Sequence, residues 1–371
     1  MVDFKRIENT RKRIYFLVIL FGIMCIFSSP ILAHADIFGF EVQDIYMDIT
    51  TNVRETNDIL KKAFEFSQTS PYDVVNGISG TTQGNIAVAI RNASKTMALV
   101  IATLLLMVDF FRKSVTFEWA SKWENVLIFL IKIIVIKQVV QNADVIVSHI
   151  YAGFQSINNV ATGESPDFLP YGTAKEYYLD VKQNIVQQAK KGWWDFWYDI
   201  GAGDIYDHYS YKISEEAVKM FYPTAVFPSS TDLGSNKFPE PTTAMMFMPT
   251  LEIVFNKIYF YIMKAIAYIV FVISIGRVFE LSVYTIFAPL PLATFVSETT
   301  HDAAKNFLKN YIATVLQIAV IVVMFIVYVA ANKYITANMP ETPLIQLVVL
   351  ISLGLGVIKS GAWSKKVCGM G

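Results

Sequence analysis

The sequence predicts an all-α polytopic membrane protein with about five transmembrane helices, a re-entrant or broken helical segment, and a helical insertion on the extracytoplasmic side. Three observations predict it. Hydrophobic residues are 54% of the chain and charged residues 17%, and the apolar positions gather into runs of about 15 to 25 residues, which suit a hydrocarbon core of about 30 Å. One run, residues 277–296, reads RVFELSVYTIFAPLPLATFV and carries two charges and two prolines where hydrocarbon tolerates neither. The basic residues concentrate in short connections that a positive-inside count places on one side. Lys+Arg and Asp+Glu are equal at 31 each, so no overall charge draws the chain to nucleic acid. The two cysteines, Cys25 and Cys368, leave both long polar regions without a disulfide.

Residues 1–35 have the layout of a signal peptide. Lys5, Arg6, Arg11, Lys12 and Arg13 precede an apolar run, and Ala33-His34-Ala35 places cleavage after Ala35. An uncleaved anchor is the rival reading, and both leave the following segment outside. Residues 36–85 form an extracytoplasmic amphipathic segment, because Val42, Ile45, Ile49, Val53, Leu60 and Phe64 recur at helical spacing. That helix lies on the membrane or a partner, or packs against the larger outer loop.

Residues 86–151 hold the first two transmembrane helices. The run from Met97 to Phe111 rises only about 22 Å and must extend backward to span. Arg91, Lys95, Ala98, Ala102 and Asp109 then share one face. Small residues spaced by four allow close helix approach, so this face meets another helix, or the two cations snorkel outward. Arg112, Lys113 and Lys122 crowd a short cytoplasmic connection. The return span, residues 125–151, carries Lys137, Gln141, Asp144 and Ser148 on one face, giving an interhelical polar seam or a wet pathway.

Residues 152–250 form an extracytoplasmic loop domain. A helix is expected from Lys175 to Trp197, ending in an aromatic cluster with Trp193, Trp194 and Trp197 that suits a membrane-interface belt or a protein-docking surface, and a Pro/Ser/Thr-rich linker from Pro228 to Thr243. Seven Lys against twelve Asp or Glu leave this region at about −5, which repels DNA.

Residues 251–371 are the C-terminal transmembrane bundle with a cytoplasmic tail. Four apolar segments occur here, near 257–275, 277–296, 310–331 and 343–358. Three crossings put the Lys305/Lys309 connection and the Lys359, Lys365 and Lys366 tail in the cytoplasm, so one segment enters and leaves on the same side. Pro289 and Pro291 mark residues 277–296 as that segment. Arg277 and Glu280, one turn apart, are expected to pair.

Arg277, Glu280, Tyr284, the APLPLATF run over 288–295, and the KNFLKNY stretch over 305–311 leading into ATVLQIAVIVV together resemble the TrbL family. These are polytopic membrane-channel subunits of type IV secretion and conjugation systems, and the resemblance is to the branch found in Gram-positive mobile elements. It covers roughly residues 86–371 and is most specific from residue 257 onward. It implies five crossings, an outside N-terminus and large loop, and a cytoplasmic C-terminus in the cell membrane. The implied role is a channel or scaffold in conjugative DNA transfer. The implied partners are the type IV secretion ATPases, a coupling protein delivering relaxase-bound single-stranded DNA, a bitopic extracytoplasmic subunit, membrane lipids, and further copies of the chain.

Enzyme chemistry finds no support in the sequence. His34, His149, His208 and His301 have no zinc-ligand spacing, and neither a phosphate-binding G-x-x-x-x-G-K-[ST] nor a G-x-S-x-G elbow occurs. No cofactor or metal is expected. The alternative function is a secondary transporter or ion channel that binds its solute at the broken 277–296 segment.

Overall fold

The computed structural model describes residues 41–77, 82–115, 123–163, 167–183, 205–234, 238–239, 249–338 and 343–370. The signal segment 1–35 and Trp193, Trp194 and Trp197 lie outside the described residues. Helix dominates, as long apolar runs with few helix breakers require. In chain order the helices begin with α1 (Val42–Ser67), α2 (Pro71–Gly77), α3 (Thr82–Ser114), α4 (Trp123–Gln141) and α5 (Ala143–Gly163). Strands β1 (Lys175–Gln183) and β2 (Ile205–Ile213), helix α6 (Glu215–Phe221) and strand β3 (Asp232–Gly234) follow. The chain then continues through α7 (Pro249–Phe287), α8 (Pro289–Ala293), a 3-10 turn (Thr294–Val296), α9 (His301–Asn338) and α10 (Pro343–Val367).

Four helical stretches, Gly84–Ser114, Asn256–Phe287, His301–Asn338 and Ile345–Val367, are long and apolar enough to cross a membrane. The pair α4 and α5, bent by 69° at a short break, supplies a fifth if counted as one span. The chain is an all-α polytopic membrane protein in its transmembrane part. The segment count differs in one respect from that read off the sequence. Residues 277–287 are the end of α7, continuous with the span before them, so only α8 and the 3-10 turn form a separate element. The apolar run has no breaker until Pro289, and Arg277 and Glu280 do not interrupt helical hydrogen bonding. Likewise α9 runs on to Asn338, past the apolar segment near 310–331.

The described residues divide into two compact units, whose boundaries fall inside α1, α7, α9 and α10. The first contains residues up to Ile59, then Asp167–Ala267 and Val327–Leu353. Its insertion corrects the helix expected from Lys175 to Trp197, because β1 is a strand. Along KEYYLDVKQ the apolar positions recur every second residue, the period of a half-buried strand. Accordingly Tyr177 and Leu179 are buried while Tyr178 and Asp180 face out. β2 pairs antiparallel to β1 along its whole length, from Lys175 opposite Ile213 to Gln183 opposite Ile205. β3 adds a parallel edge within the tract expected to be linker, completing a three-stranded sheet of order β2-β1-β3.

The sheet closes on the first half of α1, whose amphipathic pattern is thus met by packing on the insertion between α5 and α7. Tyr46, fully buried, meets the rings of Tyr222, Phe227 and Phe238 at centroid distances of 5.7 to 6.2 Å. Polar groups pin the register: the Asn57 amide donates to Leu169 O and accepts from Leu169 N, while Thr50 Oγ1 accepts from Ser214 N at 2.9 Å. Lys264 reaches Glu55 at 2.6 Å, and Lys257 reaches Asp48 at 2.5 Å. In the same unit Asn332 of α9 donates to Met220 O at the end of α6.

Ser214 caps α6, its Oγ accepting from Ala217 N at 3.1 Å. Replacing Ser214 with Ala should destabilise this unit by about 1 kcal/mol. Hydrogen exchange over residues 214–221 should then accelerate while that of α3 stays unchanged; wild-type protection over 214–221 in the mutant would refute the capping role.

Candidate functional site

The second unit contains Leu60–Pro166, Tyr268–Ile326 and Gly354–Gly371, with residues 78–81, 116–122 and 164–166 outside the described set. Its centre is the proline-broken element. Ala288 and Pro289 stop α7, since proline supplies no amide hydrogen and crowds the preceding turn. Pro289 then opens α8 at a position whose amide would be unpaired in any case. Thr294 Oγ1 donates to Pro291 O and Thr300 Oγ1 to Thr294 O, so side-chain hydroxyls cover carbonyls at the C-terminal end of the element. The element is buried on two sides. Ala288 and Leu292 join Ala143, Val147, Tyr151, Leu281, Tyr311 and Val315 in one cluster. Ala293 and Val296 join Ala98, Ala102, Leu106, Ile136 and Val140 in a second. The small-residue face of α3 thus meets α4 and the proline element, as the spacing of Ala98 and Ala102 implied.

Arg277 is buried, with 2% of its surface exposed. Its expected pairing with Glu280 is absent. Nη2 donates to Ser67 O at 2.9 Å and Nη1 to Val315 O at 3.2 Å. Among the described residues it forms no ion pair. Glu280 is exposed and accepts from Tyr284 Oη at 2.7 Å, one turn along the same helix. Three residues rotate the helix by 300°, which turns Glu280 about 60° away from the inward-facing guanidinium. The acceptor Ser67 O ends α1, where carbonyls lack intrahelical donors and carry partial negative charge. Tyr151 Oη donates to Ser67 O and Thr69 O at 3.3 and 3.2 Å, and Asn158 Nδ2 donates to Val315 O at 3.0 Å. Backbone carbonyls from two helices therefore stand where a carboxylate was expected.

Two ionic levels flank the proline element. At one, Asp144 sits 3.0 Å from Lys95 Nζ and 3.4 Å from Arg91 Nη1, and Arg91 also donates to Asn76. This is the interhelical seam foreseen for Asp144, and it draws Arg91 and Lys95 inward. Lys137 and Gln141, expected on the same face, are exposed instead. The break at Asn142 turns α5 away from α4, so the residues before and after it do not share a face. At the other level, Lys113 Nζ lies 2.6 Å from Glu298 and 3.7 Å from Asp109, and Lys132 lies 3.9 Å from Glu298. The Lys113 hydrogen bond, and behind it the neighbouring positive charge, holds the Glu298 carboxyl below its usual range. Lys95 and Asp109 are fourteen residues apart, or about 21 Å along α3. The interval is filled by Ala98, Ala102 and Leu106 against the proline element. Chemically the arrangement is a dry plug between two charged rims.

The sequence singled out Arg277, Glu280, Tyr284, Pro289, Pro291 and Asp144. The structure brings Arg277, Tyr284, Pro289 and Asp144 to one bundle and leaves Glu280, Lys137 and Gln141 at its surface. Tyr151, Asn158, Tyr311 and Glu298 were not foreseen as members. The polar pair Gln155 and Asn158, at i and i+3 on a helix that runs on to Gly163, was the available signal. Among the described residues no three His, Cys, Asp or Glu side chains gather as a metal site would require. Comparison with protein-family models, with curated proteins and with solved structures finds no match to this chain.

Hydrogen bonds to a charged group contribute about 1.5 to 3 kcal/mol each. Arg277→Met should therefore destabilise the detergent-solubilised protein by about 3 kcal/mol or more, whereas Glu280→Ala should change stability by under about 0.5 kcal/mol. Exchanging the charges, Arg277→Glu with Glu280→Arg, should give no rescue in thermal unfolding. Rescue by the exchange would mean that the two side chains do pair.

Proposed function

We propose that the chain is a channel or scaffold subunit of a type IV secretion apparatus for conjugative DNA transfer, set in the cell membrane with its N-terminus and large loop outside and its tail in the cytoplasm. One observation supports this reading above the others. The stretches that carry the TrbL resemblance, 288–295 and 305–311, converge on one buried cluster in which Ala288, Leu292 and Tyr311 pack with Phe307 and Leu308 at its margin. They belong to a single structural device, the proline plug and its seat, and resemblance in such a device concerns how the bundle closes.

Other features fit the same role. The bundle has no nucleotide-binding motif, so energy would come from partner ATPases. The apolar side chains of α4 are exposed along Val126 to Val135, which suits lipid or a further copy of the chain. The acidic outer loop would dock a bitopic extracytoplasmic subunit, with Trp193, Trp194 and Trp197 as its anchors, and would leave relaxase-bound DNA to a path shared among subunits. The buried, uncompensated Arg277 also favours a second reading, an anion-coupled transporter.

Deleting the gene from a host element should abolish DNA transfer to recipient cells, and the wild-type gene should restore it, while liposomes holding the chain alone should pass no small anion. Transfer unaffected by deletion would reject the secretion reading; anion flux in liposomes would favour the transporter. Topology is checked separately. With Cys25 replaced by Ser, Cys368 should resist membrane-impermeant thiol reagents in intact cells, and a cysteine at the exposed Ser229 should label. Labelling of Cys368 from outside would invert the proposed orientation.

A further inference from the structure

A cavity of about 730 Å³ opens beside the plug, within the size range of small-ligand sites, about 300 to 1,000 Å³. One wall is α4, through Ile128, Ile131, Val135 and Val139; the other is Leu292, Phe295 and Leu308. Lys132, Glu298 and His301 are the ionisable side chains of its lining. We propose that this cavity is a built site for one glycerophospholipid, with an acyl chain lying along α4 and its phosphate held by Lys132.

The first support is the distribution of polarity. Lys132, Glu298 and Lys113 form one ionic cluster, and Lys113 stands in the last turn of a candidate span, the depth of lipid headgroups. From Lys132 to Val139 the α4 wall rises about 10 Å, and Ile146 carries the lining further, into one leaflet's share, about 15 Å, of the hydrocarbon core. A phospholipid has the same polarity, a charged end and an apolar chain leading away from it.

The second support is the cost of leaving the walls bare. Ile128, Ile131 and Val135 are each half exposed, and Phe295 is 39% exposed. Inside a membrane such surfaces are covered by hydrocarbon. The third is charge. Glu298 is shared among Lys113 at 2.6 Å and Lys132 at 3.9 Å, so Lys132 has only the longer contact and keeps capacity for a phosphate oxygen. Its aliphatic stem lies along the apolar wall, which lets the ammonium reach the interface. A helix of a second copy would instead have to bury Lys132 and Glu298 against its own apolar surface, at a penalty that lipid avoids.

The site is independent of the secretion reading, since it would serve any membrane role of the chain. The test uses full-length protein delipidated in mild detergent and titrated with dioleoyl phosphatidylglycerol, dioleoylglycerol or inorganic phosphate, read by native mass spectrometry. Phosphatidylglycerol should bind at one copy per chain, with dioleoylglycerol and phosphate each weaker by about tenfold or more. Val135→Trp, which fills the cavity from its open side, should remove the tight adduct while circular dichroism and elution stay unchanged. Lys132→Gln should narrow the gap between phosphatidylglycerol and dioleoylglycerol. Equal adducts in wild type and Val135→Trp would show annular lipid only and overturn the site. Efficient disulfide crosslinking between copies through Ile131→Cys would overturn it in favour of a protein occupant.

Discussion

A guanidinium buried in an apolar bundle without a carboxylate is the constraint on which the second unit depends. Arg277 cannot lose its proton at ordinary pH, and its isolated charge would be expelled from hydrocarbon. It stays because Ser67 O and Val315 O receive its two Nη groups, and because Ser67 O stands at a helix terminus. Each acceptor is itself held by a second donor, Tyr151 for the first and Asn158 for the second. The end of α1, the middle of α5, α7 and α9 are thereby tied to one point within that unit. Four helical surfaces that would otherwise slide past one another on apolar contacts alone acquire a fixed register.

Much of the bundle was legible in the sequence because membrane spans obey a coarse rule. Apolar runs and the small-residue spacing of Ala98 and Ala102 each depend on composition over a whole helix, and both survive in the structure. The amphipathic period of α1 was equally plain. What failed was finer. The strand β1 was read as a helix because Lys175 to Trp197 contains many long side chains that tolerate either conformation, although its first nine residues alternate with period two. Strand pairing with β2 draws on residues 22 or more positions away, and no local pattern conveys that partnership.

The site shows the same division. Asp144 stands out as a charge on a polar face of an apolar run, and Arg91 and Lys95 as charges on a helix-facing stripe, but nothing local in the sequence pairs them. Arg277 was found for the same reason, but its partner was misassigned. A carboxylate is visible in a sequence, whereas a carbonyl is present at every residue and becomes an acceptor only where a helix ends or a neighbour approaches. Lys137 and Gln141 were drawn onto the Asp144 face by assuming an unbroken helix. The break at Asn142 has no proline or glycine to announce it, and both the side chain and the backbone amide of Asn142 donate to Gln138 O.

The proline element follows from these fixed points. Its backbone is irregular at a depth where irregular backbone must be enclosed by protein, and the enclosure requires close packing that only small side chains permit. Ala98, Ala102 and Ala293 supply it on one flank, Ala143 and Ala288 on the other. Larger residues at those positions would hold the helices apart and admit water to the freed carbonyls. With the alanines in place the interval between the Asp144 and Glu298 levels is apolar and closely packed around the element, and each level keeps its charges at the rim. Displacing the element would mean breaking both clusters, and the ion pairs from Lys113 and Lys132 to Glu298, just beyond Val296, tether it at one end.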